Sequence, residues 1–234
     1  MEQTATNNRI KLTYFVARGR IEPTRLLLEM AGVPYDFDGI PAGVWRTPEG
    51  KERFLSRTPL GQLPLLEEGE LVLCQSQAID RYLARKLGLC GSTAVENARV
   101  DEVAETAGDL LMDLGLMCWD PRFAERRDEH RGQLGAKLAI LEKYFSRVAP
   151  DAEHWVLPGK YTHGDVRMAY ALENTLPMHP GLLQEYPKLH HAMLRFFDTD
   201  GVRQYVRSSR RPRTYTVAFA AFGGKPEETH HFTD

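Results

Sequence analysis

Apolar and polar residues interleave from Arg9 to Phe15 in a β-rich run, and the pattern predicts a strand ending in Tyr14 and Phe15. After a short basic loop, Pro23 to Met30 reads as a helix that stops at Gly32. Pro34 to Ile40 predicts a second strand, and Pro41 to Thr58, rich in Pro, Gly and charge, is expected to be irregular. Leu63–Glu67 and Glu70–Cys74 flank Glu68-Gly69 as the two arms of a tight hairpin. Ser76 to Leu87 is helical, opened by a serine cap and closed by Gly88. The order βαβ then ββα implies a mixed four-stranded sheet with helices packed on it.

From about residue 95 the strand signal disappears. Glu96–Leu116 and Asp128–Phe145 are long helical patterns, and in the second Leu134, Leu138, Leu141 and Phe145 share one face. Thr162 and Asp165 stand at the spacing of an N-terminal capping box and open another helix. Pro187–Phe197 and Val202–Val206 are expected to be helical too. The chain therefore divides into an α/β unit at 9–88, a linker at 89–95, an all-helical unit at 96–212 and a C-terminal tail at 213–234. The tail shows no clear period, and the sequence leaves its order open.

Composition narrows the function classes. The 234 residues are 42% hydrophobic and 26% charged, ordinary for a globular protein, and the net charge of −2 argues against a nucleic-acid partner. No apolar run approaches the roughly 18 residues a membrane helix needs, so no membrane partner is expected. The polar first eight residues do not form a secretory signal. Cys74, Cys90 and Cys118 have no metal-ligand spacing, and they read as reduced thiols in a cytoplasmic protein without a metal.

Three places carry candidate chemistry. Tyr14 sits where a strand gives way to a helix N-terminus, a position whose free N–H groups and dipole suit an anion. Leu63-Pro64 is either a plain strand start or a cis-proline whose neighbouring backbone pairs with an extended peptide ligand. Gln75-Ser76 either caps its own helix or receives a carboxylate at the helix N-terminus.

Together these motifs resemble a known family. Tyr-Phe-x-x-Arg-Gly-Arg-x-Glu at 14–22, Pro-Leu-Gly-Gln-Leu-Pro at 59–64 and Gln-Ser-x-Ala-Ile-x-Arg-Tyr-Leu-Ala-Arg at 75–85 are similar to cytosolic glutathione transferases. The sigma class, which includes the glutathione-dependent prostaglandin D synthases, is the nearest by motif. Arg99–Thr106 with Asp109, and Gly-x-x-Thr-x-x-Asp at 159–165, extend the resemblance into the helical half. It implies a thioredoxin-like N-terminal domain, an all-helical C-terminal domain, a homodimer, and glutathione as co-substrate. It also implies roles. Tyr14 donates a hydrogen bond to the glutathione sulfur, and Arg20 further favours the thiolate. Gln62, Leu63 and cis-Pro64 lie along the peptide, with the Leu63 backbone pairing with the cysteinyl unit. Gln75 and Ser76 hold the γ-glutamyl carboxylate, and Asp109 reaches across the dimer to the α-amino group. Trp45 and Lys51 serve the glycyl end, although the segment between Phe37 and Arg57 runs several residues long and Arg53 or Arg57 can replace Lys51.

The second substrate is expected to be a small hydrophobic electrophile, held between the domains by residues such as Leu116, Met117 and Trp119. Tyr215 and Phe219 of the tail are further candidates to cover that pocket. Prostaglandin H to D isomerisation, and a non-catalytic crystallin-like or ligand-carrying role, are the alternatives to conjugation. Retention of Tyr14, Arg20, Gln75, Ser76 and Asp109 together argues against the last. His190-His191, His230-His231 and the basic run Arg207–Arg213 carry no chemistry in this reading.

Overall fold

The computed structural model describes residues 9–148 and 154–232; the polar leader and the last two residues of the tail lie outside them. Strands β1 (Ile10–Phe15), β2 (Tyr35–Ile40), β3 (Leu65–Glu68) and β4 (Leu71–Cys74) form one sheet in the order β2-β1-β3-β4. β1 runs parallel to β2 and antiparallel to β3, with Leu12 opposite Phe37 on one side and Leu66 on the other. Helix α1 (Glu22–Met30) joins the parallel pair, as a parallel connection requires. Its side chains from Glu22 to Leu28 are all buried, because it is sandwiched. Leu28 packs with Leu12, Leu66, Ile79 and Leu83 under the sheet, while Leu26 and Leu27 join the core of the helical half.

The stretch expected to be irregular contains two helices, α2 (Ala42–Trp45) and α3 (Pro48–Leu55). Pro48 occupies the first turn of α3, where its missing N–H costs nothing, and the Thr47 hydroxyl accepts from Gly50 N at 3.0 Å. The third strand begins at Leu65, two residues after its expected start, and the Leu63-Pro64 bond before it is cis. Helix α4 (Ser76–Leu87) is closed by Gly88 in the left-handed region, as expected. Ser76 is its first helical residue and not its cap.

Among the described residues, the regular elements of the second half are all helices. α5 (Ala94–Trp119) starts inside the expected linker, where Thr93 and Glu96 complete a capping box. α6 (Phe123–Val148) begins at Phe123, ahead of Asp128, because Phe123 stacks on Phe222 with ring centroids 4.6 Å apart. α7 (His163–Met178) is buried nearly all round; α8 (Pro187–Phe197) packs on it, and α9 (Val202–Val206) packs on α1 and α8. The Asp165 carboxylate accepts from the backbone N–H of Thr162 and of Trp155, both at 2.8 Å, so the capping box fixes the loop before α7 as well.

The structure answers the question of order that the sequence left open for the tail. Residues 213–232 pack against both halves: Gly19 N of the sheet half donates to Tyr215 O at 2.8 Å, Phe222 N donates to Cys118 O of the helical half at 3.1 Å, and Tyr215 is buried. The apolar residues that give this tail no helical or strand period are anchors spaced by loop geometry.

The two halves are joined by a buried polar bridge. Arg167 Nη1 of α7 donates to Asp80 Oδ2 of α4 at 2.6 Å, and Thr24 Oγ1 of α1 donates to Asp80 Oδ1 at 2.6 Å. Removing one partner of such a pair strands the other in a low-dielectric core. Asp80→Ala is therefore expected to cost about 3–5 kcal/mol in urea unfolding. A second buried pair, His130 Nδ1 and His179 Nε2 at 2.8 Å, cannot accept two charges. Burial first, then the charge of His130, pushes His179 down to about 4. An unfolded imidazole takes its proton near pH ~6.5. The pair's contribution is thus complete above that pH and is lost as the pH falls toward about 4. Unfolding free energy should drop by as much as about 3 kcal/mol over that window, and His179→Gln should flatten the profile.

Candidate active site

Between the two halves lies a cavity of about 840 Å³, and β1 delivers Tyr14 to its wall. The turn after β1 brings Arg20 N back to the tyrosine, where it donates to the Tyr14 hydroxyl at 3.2 Å. Gly19 makes that turn possible: its φ is +45°, and a Cβ there would lie 2.6 Å from the Tyr14 ring and 2.7 Å from its hydroxyl. Burial raises the Tyr14 pKa above its ordinary value, against the opposing pull of the Arg20 N–H and the charges of Arg20 and Arg25. At neutral pH the hydroxyl therefore keeps its proton. It accepts from Arg20 and has that proton to donate into the cavity.

Around Tyr14 the structure gathers most of the expected polar residues. Arg20 lines the cavity, and its Nη2 lies 3.4 Å from Met112 Sδ of α5. Trp45, from α2, stands edge-on to Phe15 with centroids 5.2 Å apart. Gln75 and Ser76 present the N-terminus of α4 to the cavity, and the preceding residue gives this helix no side-chain cap. Its first N–H groups thus face the cavity side as a ready anion site. Gln75 holds a φ of +71°, rare for a residue with a Cβ, and its Nε2 donates to Gln62 Oε1 at 2.6 Å. Such a conformation costs energy and persists where the surroundings enforce it, often at functional sites. Gln62 thus joins the site through Gln75, with Leu63 and cis-Pro64 directly after it. Asp109 lines the same cavity from α5 and is exposed.

The three candidate cations separate. Arg57 is committed to the sheet, pairing with Asp38 at 3.2 Å and with Glu67 at 2.5 Å. Lys51 and Arg53 lie on α3, exposed, outside the residues that line the cavity.

The other wall is apolar and aromatic. Leu116 and Trp119 line it with exposures of 64% and 50%, whereas Met117 is 4% exposed and belongs to the helical core. Met112 takes the place expected for Met117. It stands four residues before Leu116 and seven before Trp119, and that helical spacing was the available signal. Tyr170 of α7 is a wall residue with no local signal, since its helix is buried all round. Tyr215 and Phe219 of the tail complete the wall; Phe219 lies 5.6 Å from the Trp119 ring and beneath Arg46 at 5.2 Å.

This arrangement is shared with known proteins. Residues 10–85 match the family described as glutathione S-transferase, N-terminal domain. Glutathione S-transferase Mu 2 of Macaca fascicularis is 31% identical over 92% of this chain and 98% of its own length. Glutathione S-transferase P 1 of Xenopus laevis is 30% identical, with coverages of 86% and 92%. The solved Pi-class glutathione S-transferase of Onchocerca volvulus superposes with a TM-score of 0.76 at 28% identity, covering 84% of this chain and 91% of that one. These names are Mu, P and Pi, so the sigma class suggested by the motifs gains no support from them. The chain belongs to the glutathione S-transferase family of enzymes, whose co-substrate is glutathione.

Proposed function

We propose that Tyr14 activates the thiol of bound glutathione for addition to small hydrophobic electrophiles. One observation carries this reading: a tyrosine hydroxyl that keeps its own proton sits on the cavity wall with a backbone N–H behind it. A free thiol ionises near pH ~8.5 and is mostly protonated at neutrality. A donor aimed at the sulfur favours the thiolate, and each pKa unit gained corresponds to about 1.4 kcal/mol. The thiolate sulfur then attacks an electrophilic carbon held by Trp119, Phe219 and their neighbours. The electron pair leaves with a departing group or moves onto the electrophile, and the thiol proton passes to water.

The remaining polar residues are assigned to binding. The γ-glutamyl carboxylate docks at the N-terminus of α4 with Gln75 and Ser76, and the Leu63 backbone pairs with the cysteinyl unit. Trp45 and Lys51, or Arg53 in its place, serve the glycyl carboxylate. Asp109 holds the α-amino group of glutathione in the partner subunit of a homodimer. The proposed location is cytoplasmic. No described helix is long and apolar enough to cross a membrane, and Cys74, Cys90 and Cys118 are unpaired. Sigma-class prostaglandin isomerisation and the crystallin-like role have no observation that favours them over conjugation.

Tyr14→Phe keeps the ring and removes the donor. Its kcat/KM for glutathione conjugation to an aryl halide at pH ~6.5 is expected to fall by about 10- to 100-fold, with glutathione affinity retained. Unchanged activity would remove the tyrosine from the mechanism. Gly19→Ala places a methyl against the tyrosine ring in a backbone region that costs about 1–3 kcal/mol. It should reduce the same rate by about tenfold or more, and a variant of wild-type activity would show that the turn does not set the tyrosine's position.

A further inference from the structure

The turn that carries Gly19 and Arg20 is held from behind by a polar network in which Arg18, Arg25, Glu173 and Arg211 lie outside the cavity lining and Tyr215 belongs to the cavity wall as well. Arg18 N donates to Thr214 O and Gly19 N donates to Tyr215 O, both at 2.8 Å, so the tail lies along the turn backbone to backbone. The carbonyl of Ala17 accepts from Arg25 Nη1 at 3.0 Å. The Arg18 side chain, itself buried, donates from Nε to Pro212 O at 2.9 Å and from Nη1 to Glu173 Oε1 at 3.2 Å. Arg211 locks the tail's entry point. Its Nη1 and Nη2 donate to the two oxygens of Glu173 at 3.0 and 2.7 Å, and its Nε donates to Glu22 Oε1 at 2.6 Å. Tyr215 closes the ring of contacts: its hydroxyl donates to Glu173 O at 3.2 Å, and its ring lies under the Arg18 guanidinium at 5.1 Å.

We infer that the buried Arg18–Glu173–Arg211 network, with the tail segment 212–215 it grips, positions the Gly19–Arg20 turn against Tyr14 and thereby sets how readily the bound thiol ionises. The inference rests on the thiol-activating reading of Tyr14. Two features carry it beyond a role in stability alone. Buried ion pairs are weak stabilisers, because well-packed apolar residues of similar volume do as well, so stability does not explain a five-membered cluster of Glu22, Glu173, Arg18, Arg25 and Arg211. Its bonds also converge on one loop. The backbone N–H groups of residues 18 and 19, the carbonyl of 17 and the side chain of 18 are all engaged, and the next N–H, of Arg20, is the donor to Tyr14. Glycine at position 19 leaves this loop with little stiffness of its own, so the bonds from behind supply it. Arg18, Arg211 and Tyr215 are thus positioning residues.

The test compares Arg18→Met, Arg211→Lys and Tyr215→Phe with wild type and with Tyr14→Phe in the full-length protein. The ultraviolet absorbance of bound glutathione thiolate is titrated against pH, alongside glutathione affinity and melting temperature. Loosening the turn is expected to raise the pH at which the bound thiol ionises by about one, and to slow aryl halide conjugation about tenfold at pH ~6.5. Near pH 9 the rate should recover, with affinity changed less than about threefold. Arg211→Lys, which keeps the charge but loses the two-pronged bond, should show the effect in part. If these variants melt earlier but titrate like wild type, the network is structural only and the inference is overturned. Should Arg18→Met not fold, Arg211→Lys and Tyr215→Phe decide by the same titration. A titration that Tyr14→Phe itself leaves unmoved would instead overturn the reading of Tyr14, so the two failures are distinct.

Discussion

Glu22 and Glu173 are both 0% exposed, and an ionised carboxylate in that environment is tolerated only when cations and hydrogen bonds surround it. Glu22 lies at the start of α1 and Glu173 in the last turns of α7. Burial alone would raise the Glu22 pKa, yet Arg211, Arg25 and Arg18 more than offset that and hold it below the usual carboxylate range. The arginines come from three separate places: the turn after β1, α1 itself, and the chain entering the tail. Neither carboxylate is fully compensated until the sheet domain, the helical domain and the tail are all in place. This requirement couples the three parts more tightly than apolar contact would, because a misplaced arginine leaves a buried charge and not merely a gap.

The cavity inherits its shape from that coupling. One wall is made by β1, α2 and the start of α4, which supply hydroxyls, amides and free helix N–H groups. The facing wall is made by α5, α7 and the tail, which supply rings and thioethers. A charged peptide-like co-substrate and a hydrophobic electrophile make opposite demands on solvent. On the proposed function, a polar wall and an apolar wall meeting at the Tyr14 hydroxyl meet both demands and hold the two reactants close enough to lower the entropic cost of their encounter. The Asp80–Arg167 bridge fixes the same junction from beneath, since Asp80 lies on the first two turns of α4 and Arg167 on α7.

The sheet domain was legible because its signals are local. The run up to Tyr14, the hairpin around Gly69 and the helix ended by Gly88 each depend on a few neighbouring residues, whereas the residues at Leu63-Pro64 left two readings open and the cis bond came from the family resemblance. The capping box at Thr162 and Asp165 could be read for the same reason. Where order comes from distant partners, the pattern was silent. Residues 41–58 looked irregular because α2 and α3 are short and bury little beyond Phe54. Helix α7 shows no polar face because it has none, and only its start could be seen. The order of the tail was not legible because its backbone bonds run to residues 18, 19 and 118, just over a hundred positions away in one case and nearly two hundred in the other two. Tyr14, Arg20, Trp45, Gln75, Ser76 and Asp109 share a cavity, while Lys51, placed by motif spacing alone, stands outside its lining.

That difference in legibility follows from chemistry. Residues that grip a co-substrate of fixed shape must present fixed groups in a fixed order, and such order survives as short motifs. An apolar wall needs only area and a shape, which many side chains supply, and so it leaves no motif. In this chain the tail shows both demands within a few residues. Its carbonyls at 214 and 215 hold the turn beside Tyr14, while Phe219, five residues after Thr214, stands on the apolar wall against Trp119 and Arg46. Any displacement of the tail at Phe219 therefore pulls on the bonds to Arg18 and Gly19. The apolar wall at Phe219 and the turn beside Tyr14 are thus held by one stretch of backbone.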